Sequence, residues 1–237
     1  SKTGIRDEVQ WVKKTAEQKQ QNWMKPHLDQ IVTIVRSLID CSTKQRNTLV
    51  KELWVATENF RVLASNREGE LSVNSVNLWA DQYLRKCLGV KTEDEFYPGK
   101  MVIVRINSDE LHVFNGDVGV VCPPAECSEN LQVIFDKCAD RFLPTGLLPK
   151  YDLAYAMTIH QSQGSDYKSV AVLLPETADS HLATRELLYT GITRAKKEVT
   201  IFAEPEVLKN ACEKYTTRES GLKARLAEEL SAIKCCR

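Results

Sequence analysis

Between Leu153 and Ala203, short apolar runs alternate with polar loops and one amphipathic segment. Ala154–Ile159 and Ser169–Leu174 read as buried strands, 184–195 as a helix, and Val199–Ala203 as a closing strand. Runs without polar alternation belong to strands covered on both faces, and intervening helices make the connections parallel. This pattern confines the chain to an α/β fold built on a parallel sheet.

Upstream, Phe60–Ala64 reads as a further buried strand, followed by the polar turn Ser65-Asn66-Arg67-Glu68-Gly69. Residues 73–88 place Val76, Trp79, Ala80, Tyr83 and Leu84 on one side of a helix. From Tyr97-Pro98-Gly99 the character changes. Short strands at 100–106, 112–114, 118–121 and 131–135 are separated by Gly, Asn and Pro turns, which predicts a small β-barrel over 97–148, inserted into the α/β unit. Asn115-Gly116-Asp117 reads first as a hairpin turn. Residues 1–57 are read as a helical connecting segment, with Pro26 dividing two helices. Residues 205–237 are read as a helical, charged tail. The α/β lobe is thus assigned to 58–96 and 149–204.

Composition narrows the function. With 32 basic and 32 acidic residues the formal charge is zero, which argues against non-specific coating of nucleic acid but leaves room for a local groove. The eight cysteines form no CxxC. Cys122 and Cys127 have no second pair at zinc-ligand spacing, so neither zinc nor a disulfide framework is expected. Ser1 reads as an expression scar on a piece of a longer protein. Without a secretory signal or an apolar run of membrane-spanning length, a reduced, soluble, cytoplasmic protein with no membrane association is expected.

Two segments carry chemistry. In Ala156-Met157-Thr158-Ile159-His160-Gln161-Ser162-Gln163-Gly164-Ser165-Asp166-Tyr167, an apolar strand runs straight into a polar loop. A loop at the end of a parallel strand sits where ligands bind, and its N–H groups and hydroxyls can hold phosphate. In Arg185-Glu186-Leu187-Leu188-Tyr189-Thr190-Gly191-Ile192-Thr193-Arg194-Ala195, the arginine falls at a helix end. There it either reaches a phosphate presented by another domain or simply complements the helix dipole. His160 is equally readable as a neutral strand-end histidine, and Trp54 and Trp79 as core.

Taken in order, these two blocks resemble motifs V and VI of superfamily 1 helicases, closest to the RecD branch that includes the alpha chains of exodeoxyribonuclease V. Phe60–Asn77 resembles the branch's motif IV. Tyr97-Pro98-Gly99-Lys100 with Val113–Val120 resembles its inserted segment. The resemblance covers about 60–203. It implies a RecA-like second motor lobe carrying an SH3-like β-barrel, in an enzyme that uses ATP and Mg²⁺ to move 5′ to 3′ on single-stranded DNA.

The resemblance also assigns residues. Arg194 matches the arginine finger, and Arg67 matches a basic position directed at the same phosphate. Gln163, Gly164 and Asp166 match the ATP side of motif V, with Asp where Glu is commoner. Thr158, His160, Ser162 and Asn77 match positions facing DNA. Gln161 stands where the family more often has Lys, which removes a charge from the phosphate contact. No G-x-x-x-x-G-K-[ST] occurs, so the phosphate loop and the Mg²⁺ ligands are expected on a missing N-terminal lobe, and ATP hydrolysis is not expected from this chain alone. RecB- and RecC-type subunits are the implied partners. The rivals are a stand-alone RecD-like or relaxase-linked helicase, and a non-catalytic relative that only binds DNA or protein.

Overall fold

The computed structural model describes residues 8–13, 17–41, 43–123, 130–135, 141–177 and 179–216. In chain order the elements are β1 (Glu8–Lys13), α1 (Glu17–Asp40), α2 (Thr43–Glu58), β2 (Phe60–Ala64), α3 (Val73–Leu88), β3 (Met101–Val104), β4 (Val118–Cys122), β5 (Gln132–Ile134), β6 (Phe142–Pro144), β7 (Tyr151–Leu153), β8 (Ala156–Thr158), β9 (Tyr167–Leu173), α4 (Arg185–Thr193), β10 (Ala195–Ala203) and α5 (Pro205–Glu213).

Five strands form a parallel sheet in the order β1-β10-β9-β2-β8. The apolar runs read as two-sided strands are covered on both sides. On β9, Val172 meets Gly191 of α4, while Leu173 joins Val62 and Phe202 in lining an apolar pocket beneath Trp23 and Trp79. Successive side chains of one strand thus serve opposite layers. Trp54 is buried and Trp79 packs half-buried against the same core, in keeping with their reading as core residues.

The inserted sheet is antiparallel, ordered β6-β5-β4-β3-β7, and no pairing of β6 with β7 closes it among the described residues. Its period-two pattern splits it between two cores. Met101, Ile103, Val120, Cys122 and Ile134 join the main core, whereas Val102, Val104, Val121 and Val133 pack with Phe135 and Leu143 on the other face. A buried polar tether reinforces the junction with α3. The Tyr97 hydroxyl donates to Asp81 Oδ1 at 2.7 Å and lies 2.8 Å from the Tyr155 hydroxyl. Burial pushes both phenols well above their usual range, so they stay neutral and hydrogen-bonding.

Several expectations need correction. Residues 8–13 form an edge strand, not a helix. Glu-Val-Gln-Trp-Val-Lys is too short for its period to separate strand from helix, and the deciding partner, β10, lies far along the chain. The Trp11 indole N–H donates to Ala203 O at 3.1 Å. Pro26 sits inside α1 rather than ending it. A proline inside a helix costs about 3 kcal/mol. Burying Leu28, Ile31, Val35 and Leu38 on the following turns outweighs that, at about 1.5–3 kcal/mol each. Helices α1 and α2 belong to the lobe's own core rather than to a separate connecting segment. The inserted sheet ends at Leu153, not 148, because β7 pairs with β3. Residues 112–114 make only an isolated bridge, Ser108 with Val113.

The tail is helical over Pro205–Glu213, with proline at the helix start, where its missing N–H is harmless. The remainder from 217, and Cys127, lie outside the described residues. Burial pushes the Cys122 thiol up to about 12, which disfavours the thiolate that zinc would need. Among the described residues, no helix is long and apolar enough to cross a membrane.

Candidate functional site along the β8–β9 loop

The loop leaving β8 crosses from the carboxyl end of the sheet to its amino end, because β8 and β9 are both parallel to β2. Consecutive turns compact it: Ser162 N donates to Thr158 O (3.2 Å), Gln163 N to His160 O (3.3 Å) and Ser165 N to Ser162 O (3.0 Å). Gly164 closes the path at φ +88, where a side chain would be strained although nothing crowds its Cβ position.

The first half of the loop is tied to itself. Gln161 Oε1 accepts from both the Thr158 amide and the Thr158 hydroxyl at 3.1 Å, and the Gln161 amide donates back to that hydroxyl at 3.2 Å. The pair was legible only as a T-x-x-Q spacing, the offset at which side chains close a turn. His160 and Gln163 are exposed. Ser162 is not available to a ligand: it is 0% exposed and its hydroxyl donates to Ile159 O at 2.7 Å. That corrects its expected DNA-facing role.

The second half meets α4. Gly191 lets α4 lie close on β9, since a Cβ there would come within 3.3 Å of Val172. The Thr184 hydroxyl caps the helix start, and Arg194 caps its end in αR geometry before passing directly into β10. No intervening loop allows the arginine to wander. Its backbone carbonyl accepts from Tyr167 N at 2.8 Å. Its guanidinium donates to Thr190 O (3.3 Å), Ser165 O (3.2 Å) and Thr193 Oγ1 (3.4 Å), and lies 3.7 Å from the half-exposed Asp166 carboxylate. Its side chain is only 21% exposed, because the loop wraps it. The structure therefore brings Ser165, Asp166 and Arg194 together, with Gly164 the adjoining residue of the loop.

Arg67 does not join them. It is exposed on the loop after β2, along a cleft of about 310 Å³ shared with Asn74, Asn77, Met157 and Gln161. Ala64 pairs with Leu173, whereas Ala195 pairs with Tyr167, so six strand positions separate the two levels of the sheet. At about 3.3 Å per residue that is roughly 20 Å. The structure thus leaves Arg67 toward the opposite end of the sheet from Arg194 and does not bring the two together as expected. Arg67 instead neighbours the Thr158–Gln161 half of the loop.

Asn77 is also corrected. It is buried, its Nδ2 donates to Leu153 O (3.1 Å) and Ala156 O (3.0 Å), and its Oδ1 accepts from Ala156 N at 2.7 Å. Both of its N–H donors and its side-chain oxygen fasten α3 to the point where the inserted sheet rejoins β8, leaving no donor for a DNA phosphate.

Residues 153–202, which contain this loop and α4, match the family model described as UvrD-like helicase C-terminal domain. The chain is 33% identical over 194 residues to the RecBCD enzyme subunit RecD of Haemophilus influenzae, covering 81% of this chain and 29% of that protein. It is 36% identical over 169 residues to the same-named subunit of Mycobacterium tuberculosis, covering 71% of this chain and 29% of that one. Under a third of each relative's length is therefore spanned. Among solved structures, the Pif1 helicase from Bacteroides with ADP-AlF3 and ssDNA overlays 87% of this chain and 54% of that chain, at a TM-score of 0.42 and 15% identity.

Proposed function

Because the chain belongs to the RecD-type branch of the superfamily 1 helicases, as the C-terminal part of such a protein, we propose that it is the second motor lobe of an ATP-dependent DNA helicase moving 5′ to 3′. The observation that carries this reading is the single loop from Thr158 to Tyr167. One half offers Thr158, His160 and Gln161, near Arg67; the other half is bound to Arg194. Such a loop can relay the state of a nucleotide at one end to a nucleic-acid strand at the other.

In this reading Arg194 meets the γ-phosphate of an ATP held mainly by another lobe and stabilises the charge that develops on cleavage. Gly164 and Gln163 face the nucleotide, and Asp166 stands against Arg194 at its edge. Mg²⁺ is assigned, with the phosphate loop, to that other lobe. His160 and Arg67 face the sugar–phosphate strand, and the inserted sheet is the family's SH3-like element. The cellular setting is a cytoplasmic complex with RecB- and RecC-type subunits, acting in DNA break repair and recombination as exodeoxyribonuclease V.

The test joins this lobe to a phosphate-binding lobe in the full-length protein. DNA-stimulated ATPase and unwinding of a duplex with a 5′ tail, but not a 3′ tail, are expected; unwinding from 3′ tails alone would reverse the direction. This chain by itself is expected to release no phosphate from ATP, with or without single-stranded DNA. DNA-stimulated turnover that survives purification and disappears on Arg194→Ala would overturn that expectation.

Gln161 offers a second handle. Gln161→Lys releases Thr158 from its turn and restores a charge, so affinity for an oligo-dT strand should rise several-fold at low salt. The slope of log affinity against log salt should steepen by about 0.7, the value of one more single-strand phosphate contact. Gln161→Ala frees Thr158 without a charge and should leave the slope unchanged. Fluorescence anisotropy across a salt series reads both, and an unchanged slope for the lysine variant would remove Gln161 from the DNA face.

A further inference from the structure

We propose that Asp166 is a positioning residue for Arg194, holding the guanidinium aimed by a contact loose enough for a phosphate to displace; the proposal rests on reading Arg194 as the arginine that meets the γ-phosphate. Three links join the end of the loop to the end of α4. The Tyr167 amide donates to Arg194 O at 2.8 Å, Nη1 of Arg194 donates to Ser165 O at 3.2 Å, and the Asp166 carboxylate stands 3.7 Å from that same nitrogen. Nε is turned back onto Thr190 O, which fixes the plane of the fork.

The strengths of these contacts decide the role. A close two-pronged pair with a buried acid would hold the arginine against any ligand, because breaking it strands a buried charge. Here the acid is 54% exposed and the distance lies near the outer limit of an ion pair. Such pairs contribute little to stability and exchange readily. What the pair does supply is orientation: a flexible side chain is kept in one arc before the phosphate arrives, which lowers the ordering entropy left for the reacting state. The loop that faces nucleotide and the arginine that acts on it are then one mechanical unit, and displacement of Asp166 by phosphate releases the 164–166 turn as the site engages.

The experiment is a double-mutant cycle in the full-length helicase, read as single-turnover ATP cleavage and as kcat and KM separately. Asp166→Asn should lower kcat about two- to fivefold, the scale of one exposed ion pair, with KM for ATP nearly unchanged. Asp166→Glu should recover most of the rate. In an Arg194→Ala background, Asp166→Asn should cost nothing more, because its effect runs through the arginine. An equal Asp166→Asn loss in both backgrounds, or a loss confined to KM, would show a direct nucleotide contact instead and overturn the proposal. Should Arg194→Ala itself leave cleavage nearly intact, the assignment of Arg194 fails, and this proposal with it.

Discussion

Arg194→Ala, introduced into the full-length protein, is expected to lower the rate of ATP cleavage by about 10³–10⁵, the range an arginine contributes when it stabilises a transferring phosphoryl group. DNA binding should change little, since Arg194 lies about six strand positions from the Arg67 side of the sheet. Stability should fall by only about 1 kcal/mol, because the lost hydrogen bonds are long and partly hydrated. The strongest link of Arg194 to the loop, its backbone carbonyl with Tyr167 N, survives the substitution. Arg194→Lys keeps the charge but cannot present a planar fork, so it should restore little of the rate. If Arg194 were only a helix-terminal ion-pair residue, the pattern would invert. The melting temperature would drop, and cleavage per folded molecule would hold. Both are measured on the same variant, by thermal denaturation and single-turnover cleavage.

How much of this was legible in the sequence depends on how local each determinant is. Strand Phe60–Ala64 and helix Val73–Leu88 are found where their apolar periodicity places them, and Ser72 and Gly89 cap the helix through short-range chemistry. Strand β1 was not legible, because six residues carry too little period and its pairing is with β10, nearly the whole chain away. Burial of polar groups was hidden for the same reason. Arg61 lies inside an apolar strand, 2% exposed, donating to Ala154 O and Thr57 O, with its guanidinium 4.9 Å from the Tyr167 ring. Nothing in Phe-Arg-Val-Leu-Ala announces those partners. Ser162 looks like an exposed hydroxyl in a polar loop until the turn that buries it is known. For the site, motif order names a loop end and a helix end that do meet, with Asp166 3.7 Å from Arg194, whereas it put Arg67 with them and Asn77 on the DNA. Strand register and a helix-to-sheet hydrogen bond decide those two, and neither is a property of spacing along the chain.

Asn77→Ala tests that last distinction, and its expected effect is on stability. The substitution leaves the Ala156 amide without its acceptor and removes a donor from two backbone carbonyls, all at a buried junction. Stranding the amide is the costly part, while carbonyls with a second lone pair lose less. About 2–4 kcal/mol in total is expected, or roughly 5–15 °C in melting temperature for a chain of this size. Asn77→Asp keeps an acceptor for Ala156 N but turns a carboxylate toward the carbonyls of Leu153 and Ala156. That raises the folded-state carboxyl above its unfolded value, so the folded state binds the proton more strongly and the deficit of this variant should shrink as pH falls. Because Asn77 fixes where β7 hands over to β8, the loosening should reach the inserted sheet before the central strands. Amide exchange would show this as lost protection over 101–104 and 151–156, with β9 and β10 retained. Single-strand affinity per folded molecule should stay close to that of the unmodified protein. A variant that keeps its melting temperature but loses DNA binding would return Asn77 to the nucleic-acid face and require the α3–β8 junction to be held by other groups.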